Sequence, residues 1–154
     1  MQHPIDKVRI RQATAADAAQ LCKLLSLLFA QEADFKPGAR RQSRGLRLIL
    51  DQPEVGLIYC ATKGKSVIGM VSILFTVSTA EGGSAAWLED MVVHPDWRGK
   101  SIGGQLLHEA INRARATGCA RITLLTDSTN ISAIHFYEKA GFIRSGMIPL
   151  RLHL

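Results

Sequence analysis

Cysteine is sparse in this chain: Cys22, Cys60 and Cys119 make three, an odd number, and they lie far apart. That spacing offers neither a disulfide framework nor a metal-type cluster. Each falls in an apolar segment, where a buried thiol behaves as a small hydrophobe. The five histidines are scattered too, and His108 and His135 sit on expected helices with no second ligand at i+4, so no metal site is expected. Long apolar runs are missing, and none approaches the roughly 20 residues that span a bilayer. The opening MQHPIDKVRIRQ has no apolar signal-peptide core, so a cytoplasmic protein is expected. Aromatic residues are only 6% of the chain and nowhere interleave with basic ones, as a single-strand nucleic-acid platform would require. No helix-turn-helix or zinc pattern stands out. Neither nucleic acid nor membrane is therefore an expected partner. With no repeat, low-complexity tract or Pro/Ser-rich linker, the 154 residues are expected to form a single domain, 1–154.

What is present is an ordinary globular balance, 47% hydrophobic and 21% charged, with a formal net charge of +6. Such charge attracts any polyanion and does not choose among them. Its distribution says more. "ARRQSRGLR" (39–47) is one dense cluster and "WRGK" (97–100) a smaller one.

Periodicity sets out the elements. Residues 7–13 alternate and read as a first strand. Thr14 stands three residues before Asp17, a capping-box-like start, and Leu21, Leu24, Leu25 and Leu28 recur at helical spacing to about Ala30. A loop, "QEADFKPGARRQ", precedes a second helix over 39–50 that stops before Pro53. Strands follow over 55–62 and 66–77, joined by the turn "KGK", and then over 85–93. A helix over 102–117 is closed by Gly118, a strand covers 121–126, and a helix over 132–140 is closed by Gly141. Residues 142–144 and 147–154 read as two final strands. The order βααβββαβαββ implies an α+β fold with a mixed sheet.

The stretch "WRGKSIGG" (97–104) lies between a strand and a helix. Glycines let backbone approach a ligand closely, and successive N–H groups of such a loop can face a common concavity. The helix N-terminus adds free donors and a partial positive charge, and Arg98 and Lys100 add full ones. The natural guest is a phosphate or pyrophosphate. Neither GxxxxGK[ST] nor GxGxxG is present, which excludes a Walker loop and a dinucleotide fingerprint.

"LEDMVVHPDWRGKSIGGQLL" followed by "NISAIHFYEKAGF" resembles the GCN5-related N-acetyltransferase (GNAT) family. The resemblance is strongest over 86–144. It implies a central, mostly antiparallel mixed sheet flanked by helices. It also implies an enzyme that moves an acetyl group from acetyl-coenzyme A to a primary amine of a small-molecule acceptor, by direct attack in a ternary complex. The family's loop has the form (Arg/Gln)-x-x-Gly-x-(Gly/Ala), matched here by Arg98, Ser101 and Gly103. Ser101 departs from the usual glycine. If the loop needs positive φ there, cofactor affinity suffers.

By the same resemblance the cofactor is held by Met91, Val93, Arg98, Gly99, Lys100, Ser101, Ile102, Gly103, Gly104, Asn130, Ser132 and Tyr137. The pantetheine arm would pair with backbone at Met91 and Val93, and an N–H near Val93 would stabilise the oxyanion. Tyr137 would protonate the departing thiolate. Glu89 is the implied base, directly or through water. Glu89 and Asp90 alternate on their strand, so only one reaches a cleft unless a bulge intervenes.

Arg40, Arg44 and Arg47 share one helical face, read first as a solvated basic face and second as a cationic wall for an anionic acceptor. Two other functions stay open: acetylation of a protein or peptide amine, which predicts an open acceptor groove, and coenzyme A sensing without turnover. Homodimers are common in such a family, so a dimer is a mild preference.

Overall fold

The computed structural model describes residues 7–32 and 34–154, and Ala33, within the loop expected after the first helix, lies outside the described residues. The chain runs β1 (Arg9–Gln12), a 3-10 turn (Ala15–Asp17), α1 (Ala18–Gln31), α2 (Ala39–Leu50), β2 (Gly56–Lys63), β3 (Ser66–Ser78) and β4 (Gly83–Val93). A second 3-10 turn (Pro95–Trp97), α3 (Ile102–Ala116), β5 (Ile122–Leu124) and α4 (Ile131–Lys139) complete it. The five strands lie in the order β1-β2-β3-β4-β5. All pairings are antiparallel except β4 with β5, which is parallel.

Local chemistry fixes the start of the helical layer. The Asp17 carboxylate accepts from the Thr14 N–H at 2.8 Å and takes both Arg11 guanidinium nitrogens at 2.8 Å. That two-pronged pairing holds the Asp17 carboxyl down at about 2 and ties β1 to the head of α1. Helix α1 then buries Leu21, Cys22, Leu24 and Leu25. Helix α2 turns only Gln42 and Leu46 fully inward. Gln42 donates to the Cys22 carbonyl at 3.0 Å and to Ser26 Oγ at 2.9 Å, so its burial costs no unmet hydrogen bond.

The sheet separates two apolar layers. On the α1–α2 side lie Leu21, Leu25, Leu46, Ile58, Cys60, Met70 and Val92. On the α3 side lie Tyr59, Ala61, Val71, Ile73, Leu88, Ile102 and Leu106. Successive residues of β2, Ile58 to Ala61, alternate between the two, as strand pleating demands. Cys22 and Cys60 are buried and Cys119 is half-buried, which matches the expectation of spare thiols.

The expected final strands, 142–144 and 147–154, do not form. Residues 142–154 carry no strand, and the expected βααβββαβαββ ends here after α4. The apolar alternation is present in that segment, but no neighbouring strand meets it among the described residues, and a strand without a ladder has nothing to satisfy its backbone. Between β3 and β4 the chain closes in a hairpin turn, with the Gly82 N–H donating to the Ser78 carbonyl at 2.9 Å.

Candidate active site

The site begins with a mismatch in β4. Its ladder with β3 pairs Ser72 with Asp90 and Ile73 with Leu88, which leaves Glu89 as an extra, bulged residue. The bulge inverts the alternation. Leu88 packs in the α3-side layer, yet Val92, an even number of residues on, packs in the α1-side layer. Asp90 follows Val92, because the Ser72 hydroxyl donates to its carboxylate at 3.1 Å and accepts its N–H at 3.1 Å. Met91 and Val93 consequently pack toward the α3 side. Two neighbouring carboxylates, Glu89 and Asp90, can therefore serve one cleft.

The parallel pairing of β4 with β5 stops at Leu88 with Leu124, while β4 continues to Val93. The two strands part and leave a gap. On its other edge β4 is bonded to β3 up to the His94 N–H, which reaches the Ile68 carbonyl at 2.8 Å. Antiparallel alternation then points the N–H and C=O of Met91 and Val93 away from β3 and into the gap. The Val93 carbonyl accepts from Arg98 Nε at 3.0 Å.

Carboxylates line the α1 end of this gap. Glu32, just past the end of α1, is pushed up to about 7 by burial first, and then by the charges of Asp90, Asp127, Glu89 and Asp34. Asp90 is pushed up to about 6 by burial and by Glu89, against the opposing Ser72 hydrogen bond. On the α3 side, Tyr137 packs edge-on to Phe136 and Phe142, with ring centroids 5.1 and 5.7 Å away. Its phenol is pushed up to about 12 by burial and then by the Glu32 charge, so it stays protonated at neutral pH. Glu89 thus lies on the β4 bulge and Tyr137 against the α3-side layer, with Glu32 coupled to both. The structure adds Glu32 and Asp127, which sequence reasoning missed. Neither carries a local signal; tertiary contact alone brings them there.

Beyond Val93 the chain turns through Pro95–Trp97 into the glycine-rich loop. Gly99 has φ +73° and Ser101 φ 61°, the one positive φ at a non-glycine residue among those described. The loop does need left-handed backbone at 101. Ser101 caps α3 with no side-chain hydrogen bond of its own. Arg98, Gly99, Lys100, Ser101 and Gly104 are exposed, whereas Ile102 is only 2% exposed and anchors the loop in the core. Ile102 can offer a ligand only its backbone. A Cβ at Gly103 would sit 3.5 Å from the Phe136 ring, an ordinary contact distance, so the Phe136 side chain of α4 reaches the first turn of α3. Lys100 Nζ lies over the Trp97 ring, 4.6 Å from its centre. Asn130 caps α4 by accepting the Ala133 N–H at 3.1 Å, and Ser132 is exposed in the first turn of that helix.

An exposed cationic loop with left-handed turns, leading into the N-terminus of a 15-residue helix, suits a pyrophosphate, and the adjoining open edge of β4 suits an amide-bearing arm. Arg40, Arg44 and Arg47, by contrast, line an open surface groove together with Ala39 and Ser43, and no residue of the gap takes part in it. They form an exposed basic face. No group of three or more metal-ligating side chains occurs among the described residues, and no helix among them is long and apolar enough to cross a membrane.

Comparison with known proteins agrees with this geometry. Residues 20–142 match the family model described as Acetyltransferase (GNAT) family. The chain is 33% identical to the glucosamine 6-phosphate N-acetyltransferase of Trypanosoma brucei brucei over 63% of its own length and 64% of that protein. It is 29% identical to the aminoalkylphosphonate N-acetyltransferase of Salmonella typhimurium over 88% of its own length and 85% of the relative. The matches to several other curated relatives span less than two thirds of those proteins. The crystal structure of a possible acetyltransferase from Clostridium difficile 630 superposes with a TM-score of 0.85 over 96% of this chain and 97% of that one, at 18% identity, which shows a shared fold. The chain belongs to the GNAT family of acetyltransferases.

Proposed function

We propose that this protein transfers an acetyl group from acetyl-coenzyme A to the primary amine of a small, cationic acceptor. The observation that supports the reading is the parting of β4 from β5 beyond Leu88, together with a group of mutually coupled carboxylates around Glu32 and a buried, protonated Tyr137 phenol that feels the Glu32 charge. Acetyl-coenzyme A, when bound, supplies the activated acetyl group. The backbone N–H groups from Gly99 to Gly104, with Arg98 and Lys100, are suited to its phosphates, and the outward backbone of Met91 with the Val93 N–H to its arm. Asn130 and Ser132 border the same side at the head of α4.

The amine arrives as ammonium. Glu32, Glu89, Asp90 and Asp127 give it a site of matching sign, and Glu89, exposed on the bulge, takes its proton directly or through water. The Val93 N–H is suited to the carbonyl oxygen. Tyr137 holds its proton at neutral pH and can release it at the sulfur end of the gap.

The acidic lining changes the acceptor expected. The arginines on α2, whose second reading was a wall for an anionic acceptor, face a separate groove. The names of two relatives contain a phosphate and a phosphonate. A phosphoryl group on the acceptor here would have to avoid the carboxylates.

The test is release of free coenzyme A thiol from acetyl-coenzyme A across a panel of diamines, amino sugars, amino acids, aminophosphonates and short peptides. Turnover should favour acceptors with two or more positive charges. Preference for aminophosphonates would overturn the acidic-site reading, and preference for peptides the small-molecule one. Cofactor binding without turnover on any amine would favour a sensor.

A further inference from the structure

Residues 143–154 are all exposed and form neither strand nor helix. Beyond Ser145 their backbone makes one intramolecular hydrogen bond among the described residues, from the Met147 N–H to Ser145 Oγ at 3.1 Å. Past that point a single side chain makes a polar contact with the rest of the molecule. Arg151 Nη1 donates to Asp34 Oδ2 at 2.7 Å, and its guanidinium lies over the Phe35 ring, 5.2 Å from the centre.

The seat that receives Arg151 is tied to the core. Phe35 packs against Phe29, with ring centroids 5.8 Å apart, and Phe29 belongs to the α1-side layer. A carboxylate beside an aromatic face suits a cation, because the ring face carries a negative quadrupole and the carboxylate a full charge. A flat guanidinium uses both at once, stacking on the ring while it donates to the carboxylate.

The position of the seat gives it a meaning. Asp34 stands just past Glu32, and its charge acts on the Glu32 carboxyl together with those of Asp90, Asp127 and Glu89. These carboxylates form one acidic group. Among the described residues, only Asp34 of this group has a cationic side chain within ion-pair distance, and that cation is Arg151. The acidic side of the proposed active site thus holds one positive charge of its own chain, on a segment with almost nothing else to keep it there.

We infer that Asp34 and Phe35 form the seat for a second positive group of the acceptor, and that Arg151 fills this seat until the acceptor displaces it. The inference rests on the acetyl-transfer reading and names a substrate class for it: a primary amine that carries a guanidinium at its other end. The pair is open to exchange. Arg151 and Asp34 keep 41% and 59% of their side chains exposed, and an ion pair this exposed is worth little. Arg151 therefore acts as a tethered competitor, and the apparent affinity for the acceptor falls with the fraction of seats that it leaves empty. A simple monoamine has no group for the seat and leaves Arg151 in place.

Calorimetric titration with aminobutylguanidine and with butylamine, alongside steady-state kinetics, tests this. Arg151→Gln should tighten aminobutylguanidine about tenfold and lower its KM about as much at unchanged kcat, while butylamine moves by less than about twofold. Arg151→Lys keeps the charge without the flat stacking group and should fall between the wild type and Arg151→Gln. Adding Asp34→Asn to Arg151→Gln should cancel the gain, and in an Asp34→Asn chain Arg151→Gln should change nothing. If Arg151 only braces the C-terminal segment, Arg151→Gln should weaken both amines alike; that result, or no change for either, would overturn the inference. Tighter aminobutylguanidine binding with no acetylation of any amine would keep the seat and overturn the acetyl-transfer reading. Turnover of other amines, with aminobutylguanidine bound no better in Arg151→Gln than in the wild type, would do the reverse.

Discussion

Ser101 is the residue at which sequence and backbone disagree most. A serine held at φ 61° sits in a conformation that costs a non-glycine residue about 1–2 kcal/mol. Ser101→Gly should therefore stabilise the fold by about 1 kcal/mol in urea melts, less than the full strain because glycine also frees the unfolded chain. If it tightens coenzyme A binding as well, the serine is a cost to affinity. If binding weakens, its hydroxyl is a phosphate contact.

Glu32 makes the pH-dependent counterpart. Its carboxyl titrates near 7 in the folded chain against an ordinary 4.5. The folded state holds the proton more tightly, so the stability Glu32 contributes is complete below about pH 4.5 and is lost as pH rises through about 7. Glu32→Gln should thus raise the melting temperature at pH 8.5 and leave it unchanged at pH 4. The opposite pattern would mean that Glu32 is already neutralised by a cation. Kinetics separate the roles in the same gap. Glu89→Gln should lower kcat about 10²–10⁴-fold at all pH values, as expected for loss of a general base, whereas Glu32→Gln should mainly raise KM for the acceptor. Tyr137→Phe should lower kcat while leaving the coenzyme A dissociation constant nearly unchanged.

At the scale of elements, what could be read from the sequence depended on how local the cause is. Helices α2 and α3 begin at the expected residues, 39 and 102, because the apolar stripe and the flanking Gly38, Asp51 and Gly118 are signals within a few residues of each end. The terminal strands were misread because strand formation needs a partner that the chain's own alternation cannot supply. The bulge at Glu89 was legible only as a condition. Whether Glu89 and Asp90 share a side depends on the β3 register, set by Ser72 across the sheet. Helix α3 offers a check on which element carries the loop. Leu106 is fully buried against the sheet, beneath the helix whose N-terminus faces the glycine-rich turn. Leu106→Ala should cost about 2–5 kcal/mol by loss of packing. If α3 is the rigid seat of the cofactor, coenzyme A binding should weaken further than global unfolding explains, which calorimetry well below the melting temperature would detect.

For the whole molecule, stability and association should be linked. The α1-side and α3-side layers on the first four strands are well filled, with Leu21, Cys60, Met70, Ile73 and Leu106 at 0% exposure. β5, α4 and the segment beyond have no such core: β5 is half-buried throughout, and α4 has no fully buried residue. A lone chain should therefore lose residues 122–154 by local opening more readily than the rest. If a second copy covers that segment, mass action makes the melting temperature depend on protein concentration. The full chain should then melt several degrees higher at a hundredfold greater concentration. Because α4 carries Tyr137, the same dilution series should show specific activity falling as the dimer dissociates. Constant activity and constant melting temperature together would mean that residues 122–154 are held in place by their own chain.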